Sequence, residues 1–106
     1  MSEGKKYDHG KADWTLLPWS AVRHVVAVLD FGAIKYAPGA WKSVPDAKHR
    51  YLAAAFRHLT AVAEGEWLDS ESNLPHLAHA TCCLLFLLWF GKDDQQAGFM
   101  VPDDLP

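Results

Sequence analysis

The sequence predicts an all-α protein, a small helical bundle of three main helices at about 18–36, 46–64 and 75–90, assembled as an oligomer. Three observations predict it. Apolar residues recur at helical spacing in two long stretches. Segments containing Pro and Gly separate the stretches. A third stretch turns almost continuously apolar, and no run alternates as a half-buried strand would.

Each element has its own warrant. In the first stretch, Val22, Val25, Val26, Leu29 and Ala33 share one helical face. Pro18 suits a first helical turn, and APGAW (Ala37 to Trp41) stops the helix. The second helix begins near Pro45 or Asp46. Its apolar stripe is Leu52, Ala55, Phe56, Leu59, Val62 and Ala63. Arg50, Arg57 and Glu64 recur every seven residues as a polar line. The third helix follows Pro75, with Ser72 or Asn73 expected as its N-cap. After Thr81 it is apolar all round, so it should be buried on every side. Three helices of this length hardly cover such an element. A homo-oligomer through helix 76–90 is therefore expected. Gly91 ends it. The chain divides into an arm (1–15), a helical domain (16–91) and a tail (92–106).

Composition excludes some functions. Of the 106 residues, 50% are apolar and 12% aromatic, which argues against global disorder. A net charge of −3 is unsuited to a broad basic face for duplex nucleic acid. The apolar run Cys82 to Phe90 falls well short of the roughly 20 residues a membrane span needs. The N-terminal segment lacks the apolar stretch of a secretion signal. Cys82 and Cys83 are adjacent, so they do not bridge each other comfortably. A cytoplasmic protein is expected.

Four groups of residues could carry chemistry. His76 and His79 lie at i and i+3 on one helix face, and Glu64, Glu66, Asp69 and Glu71 precede them. Imidazoles and carboxylates at this spacing can share a divalent ion, Mg²⁺ or Mn²⁺. The alternative is a solvated acidic loop before a helix start. Arg50 and Arg57 could grip phosphate oxygens, with His58 beside them; the alternative is a surface pair between Arg50 and Asp46. Lys35, Tyr36 and Trp41 place a cation near rings on which a nucleobase could stack, as could a core neighbour. Lys11 could reach a phosphate and Trp14 a base if the arm folds over a pocket; otherwise Trp14 anchors the N-terminus. The cysteines sit in the apolar run, where burial makes thiols inert.

The segments KYDHGKADWTLLPW, FGAIKY followed by Trp41, RYLAAAFRHL and GEWLDSESNLPHLAHA resemble, in that order, a phage and bacterial family described as the N-terminal domain of dATP/dGTP diphosphohydrolases. The resemblance covers about residues 6–90. It implies an all-α fold related to MazG-like nucleotide pyrophosphohydrolases, which cleave nucleoside triphosphates to monophosphate and pyrophosphate with Mg²⁺ or Mn²⁺. It thus implies that residues 16–91 bind a nucleotide, a purine deoxynucleoside triphosphate. Phosphates would lie near Lys35, Arg50 and Arg57, and the base near Trp14, Tyr36 or Trp41. Glu66, Asp69, Glu71, His76 and His79 would hold the metal. His58, Glu66 and Asp69 would carry catalysis, with His58 or a loop carboxylate as general base. MazG-like enzymes carry ExxE on one helix and ExxD on the next. Here helix two has no ExxE, and His76 and His79 stand where ExxD belongs. That thinner carboxylate set also suits a second function, a non-catalytic protein that sequesters a nucleotide or a nucleotide-derived signal, such as a phage sponge against host defence.

Overall fold

A computed structural model describes residues 10–91. Helix α1 spans Trp19–Lys35, α2 Ala47–Ala63 and α3 His76–Gly91. Each lies within a residue of its expected bounds. Two 3₁₀ turns, Trp14–Leu16 and Ala40–Ser43, precede and follow α1. Among the described residues, extended pairing is limited to one isolated antiparallel bridge, Leu68 to Pro75. The turn at Trp14 occupies the end of the expected arm, capped by the Asp13 carboxylate, which accepts from Thr15 N at 3.0 Å. The rest of the arm before Gly10, and the expected tail, lie outside the described residues.

Two of the three helix starts share one device. Pro18 and Pro75 stand just ahead of α1 and α3, and their carbonyls accept the first helical amides. Pro18 O receives Ala21 N and Val22 N at 2.9 and 3.0 Å, and Pro75 O receives Ala78 N and His79 N at 3.0 and 3.2 Å. Neither Ser72 nor Asn73 caps α3 in the expected way. The Ser72 amide and hydroxyl turn back to Asp69, and Asn73 takes a left-handed conformation, φ 60°. Helix α2 ends at Gly65, φ 98°, whose amide returns to Val62 O at 2.9 Å. Left-handed glycine commonly terminates a helix this way, because it has no Cβ to clash.

Helix α3 is central. It packs closely along α2 and more lightly on α1, while α1 and α2 scarcely meet. Small side chains permit the close approach: Ala55 of α2 and Ala78, Ala80, Cys82 and Cys83 of α3 are buried. Val28, Ala78 and Cys82 form the core, flanked by Val25, Leu74 and Phe86. At the far end, Trp41 stacks on Phe86 with centroids 4.2 Å apart and meets Trp89 and Phe90 edge-on. The Tyr51 hydroxyl donates to Trp41 O at 2.9 Å, tying the connection to α2. Both thiols are free and buried, and burial pushes Cys82 up to about 12.

As expected for three helices of this length, a single chain does not cover α3 all round: Leu77, Leu84, Leu85 and Leu88 face outward, Leu88 at 73% exposure. Three helices arranged with α3 between the others leave one of its sides open. No described helix is long and apolar enough to cross a membrane.

Candidate active site

The connection from α2 to α3 folds back on itself. Asp69 N donates to Leu74 O at 2.8 Å, Asn73 N to Asp69 O at 2.7 Å, and His76 N to Trp67 O at 2.9 Å. This turn carries Glu66, Asp69 and Ser72 over the start of α3 and against His58 of α2. Three imidazoles meet there. His58 stacks on His79 with centroids 4.7 Å apart and planes 12° from parallel, and lies 5.1 Å from the ring of His76.

The hydrogen bonds constrain the protons. His76 Nε2 lies 2.6 Å from Glu66 Oε1. An ionised carboxylate only accepts, so Nε2 carries the hydrogen. His76 Nδ1 and His58 Nδ1 are 2.8 Å apart, and one hydrogen must lie between them. When His58 donates it, His58 Nε2 is left bare. Asp69 Oδ2 accepts from both the amide and the hydroxyl of Ser72, each at 2.9 Å. That uses the hydroxyl proton, so His79 Nε2, 2.7 Å from Ser72 Oγ, is the donor there. Ser72 is consequently a tie between Asp69 and His79, not an activated nucleophile.

The electrostatics follow from burial and neighbours. His58 is lowered, first by burial, then by the positive potential of His79 and His76. His79 is lowered by burial, against the opposing pull of Asp69. For Asp69 the largest influence is burial, which raises it; the Ser72 hydrogen bonds, with His79 and His58, outweigh that and hold it low. The cluster thus favours two uncharged imidazoles around one carboxylate.

His58, Asp69 and His76 each offer a ligand atom within 4.8 Å of the others. Two imidazoles and a carboxylate suit a first-row divalent ion. Nitrogens at about 2.1 Å from an octahedral ion sit about 3.0 Å apart in adjacent positions, so replacing the shared proton requires only a small opening of the 2.8 Å contact. Glu66 on the remote nitrogen of His76 matches the carboxylate support common behind metal-binding histidines. The residues fit the ion.

A groove of about 1010 Å³ lies next to this cluster. The C-terminal half of α1, the connection through Pro45 and the first half of α2 line it, with Glu71 and with His79 and Phe86 of α3. It brings together Lys35, Tyr36, Trp41, Arg50 and Arg57 of the expected nucleotide contacts. Lys11 and Trp14 are not in its wall. They stand exposed ahead of α1, and the first half of that helix, about 14 Å from Trp19 to Val28, separates them from the groove. Trp41 gives one face to Phe86, while Tyr36 is open.

The residues expected to hold a metal are not all gathered at one point. His58, expected as a base, joins Asp69 and His76. Glu66 supports His76 from behind, Glu71 pairs with Lys35, and His79 binds Ser72 and forms the groove wall. Ser72 is expected from the sequence as a helix cap, not as a site residue. Its position three residues after Asp69 was the available signal, since Asx-type turns recruit a Ser there.

A family model described as dATP/dGTP diphosphohydrolase, N-terminal, matches residues 1–98. A Salmonella phage PMBT28 protein named dATP/dGTP diphosphohydrolase is 32% identical over 104 residues, which cover 93% of this chain and 35% of that protein. The chain therefore spans little more than a third of that relative. No solved structure matches. On the strength of a match over nearly its whole length, the chain belongs to the family of dATP/dGTP diphosphohydrolase N-terminal domains.

Proposed function

We propose that this chain binds a purine deoxynucleoside triphosphate in the groove between α1 and α2 and hydrolyses it to the monophosphate and pyrophosphate with a divalent ion, Mg²⁺ or Mn²⁺. One observation carries the reading. The cation-bearing groove and the imidazole–carboxylate cluster share a wall, because His79 lines the groove and stacks on His58. The name of the phage relative supports the substrate class and reaction.

Lys35, Arg50 and Arg57 bind the phosphate oxygens, and Tyr36 offers an exposed ring to the base. His58, Asp69 and His76 hold the ion, which supplies neutralisation of the phosphate charge. Glu66 and Ser72 fix the orientations of His76 and Asp69. His79, at the groove wall, lies against the bound phosphates. The reacting water gives its proton to a nearby base and its oxygen to the α-phosphorus, and pyrophosphate leaves. A second copy of the chain covers the outward leucines of α3 and completes the protein as a homo-oligomer in the cytoplasm.

A second reading rests on the carboxylates. Glu66 and Glu71 are both paired, which leaves Asp69 as the sole carboxylate in the three-residue set. Such a site could hold a nucleotide without cleaving it.

The test is chromatography of a dNTP panel after incubation with the protein and Mg²⁺, Mn²⁺ or Co²⁺. Monophosphate and pyrophosphate in equal amounts, abolished in Asp69→Ala and His76→Ala, are expected. Intact nucleotide released from denatured protein would establish the second reading, and neither outcome would sink both.

A further inference from the structure

Lys35 is the last residue of α1, and Glu71 lies on the turn between α2 and α3. They are 36 residues apart, yet Lys35 Nζ and Glu71 Oε2 form an ion pair at the groove. Both side chains remain open to water, at 38% and 61% exposure. Exposed pairs of this kind are weak and screened by salt, so a stronger partner displaces either member. The lysine also lies 5.2 Å over the Tyr36 ring and 6.0 Å from that of Phe31, which keeps its ammonium over the groove when Glu71 lets go.

The two members have different stronger partners. A triphosphate carries several negative charges and out-competes one carboxylate for Lys35. Glu71 immediately precedes Ser72, whose hydroxyl ties Asp69 to His79. The turn beneath it is held by the Leu68–Pro75 bridge and by the Asp69 and Asn73 amides. Release of Glu71 therefore frees a carboxylate on a fixed platform, facing the groove and two residues from Asp69, which offers a ligand atom beside His58 and His76.

We propose that Lys35 is a positioning residue that withholds Glu71 from the divalent ion until a phosphate chain takes the lysine. Nucleotide and ion then bind with positive coupling. Phosphate on Lys35 releases a hard oxygen donor to the ion, and the ion, by holding Glu71, leaves Lys35 to the phosphate. The coupling is reciprocal, as linkage requires. This rests on the groove and cluster acting as a nucleotide and metal site. It gives a role to Glu71, a carboxylate of the acidic turn that the cluster itself does not use.

The experiment measures each ligand alone, so that metal–nucleotide complexes in solution do not enter. Mn²⁺ affinity is measured by electron paramagnetic resonance without nucleotide, and affinity for the α,β-imido analogue of dGTP by calorimetry in chelator. Wild type, Lys35→Met and Glu71→Gln are compared, with thermal melting to show that each is folded. Lys35→Met should bind Mn²⁺ more tightly than wild type, by roughly threefold to fivefold, because Glu71 is freed. Glu71→Gln should bind the analogue more tightly by a similar factor, because Lys35 is freed. A merely structural strap would weaken both ligands in both variants, which would overturn the inference. So would Mn²⁺ affinity unchanged in Lys35→Met, or analogue affinity unchanged in Glu71→Gln. In those cases a wild type that binds both ligands leaves the proposed function standing. A wild type that binds neither overturns both.

Discussion

His58 and His79 meet face to face, which two imidazolium ions at 4.7 Å could not do without strong repulsion. Both are lowered from the ordinary imidazole value of about 6.5, with burial the leading cause in each. Below that pH the unfolded chain binds more protons at these two sites than the folded one. Stability from this source is therefore full above about pH 6.5 and falls as the pH drops toward the lowered folded values. Asp69, held low by Ser72 and the histidines, adds a second loss below about pH 3.9. Thermal melting should show a midpoint level between pH 7 and 8 and falling from pH 6.5 to 5. In His79→Gln the fall should be shallower. A flat profile in wild type would refute the stacked, uncharged pair. The sequence showed His58, His76 and His79 but not that His58 belongs with the other two, because 18 residues separate it from His76.

The turn from Glu64 to Pro75 decides where Glu66 and Asp69 stand relative to the histidines. Its sequence shows polarity, one Gly and one Pro, but not the left-handed Asn73 on which the reversal depends. Asn tolerates φ 60° because its short amide finds local partners, whereas a β-branched residue there is strained. Asn73→Val should cost about 1–2 kcal/mol in urea unfolding, and Asn73→Gly less than about 0.5 kcal/mol. Because the Asn73 amide holds Asp69 O, Asn73→Val should also weaken Mn²⁺ binding more than its stability loss alone explains. Equal unfolding midpoints for the two variants would contradict this account. The helices were legible for the opposite reason. Their periodicity, the prolines at 18 and 75 and the glycine at 65 are local signals, and local signals survive in a sequence without its fold.

At the scale of the molecule, α3 has a side that its own chain does not cover. Leu77, Leu84 and Leu88 recur at i, i+7 and i+11, with Leu85 beside them. This is the spacing of a seam between packed helices. No Asp, Glu, Lys or Arg interrupts α3, so the stripe meets a like stripe without burying an unpaired charge. A second copy is the occupant this geometry favours. Sedimentation should give a mass above that of one chain, and Leu84→Lys with Leu88→Lys should reduce it to one chain with the helical content retained. A wild type that sediments as a monomer would remove the proposal without touching the site, since the groove lies on the side of His79 and Phe86, away from these leucines.

The order and bounds of the helices, the apolar character of α3 and the presence of imidazoles, carboxylates and cations were determined by the sequence alone, because each is a matter of spacing along one chain. Tertiary structure decided which of them meet. It set His58 against His76, placed Glu66 on the far nitrogen of His76, paired Glu71 with Lys35 and left Lys11 and Trp14 outside the groove wall. The physical reason is distance. A helix fixes which residues share its face, but the angle of one helix on another and one left-handed residue in a turn determine which faces touch.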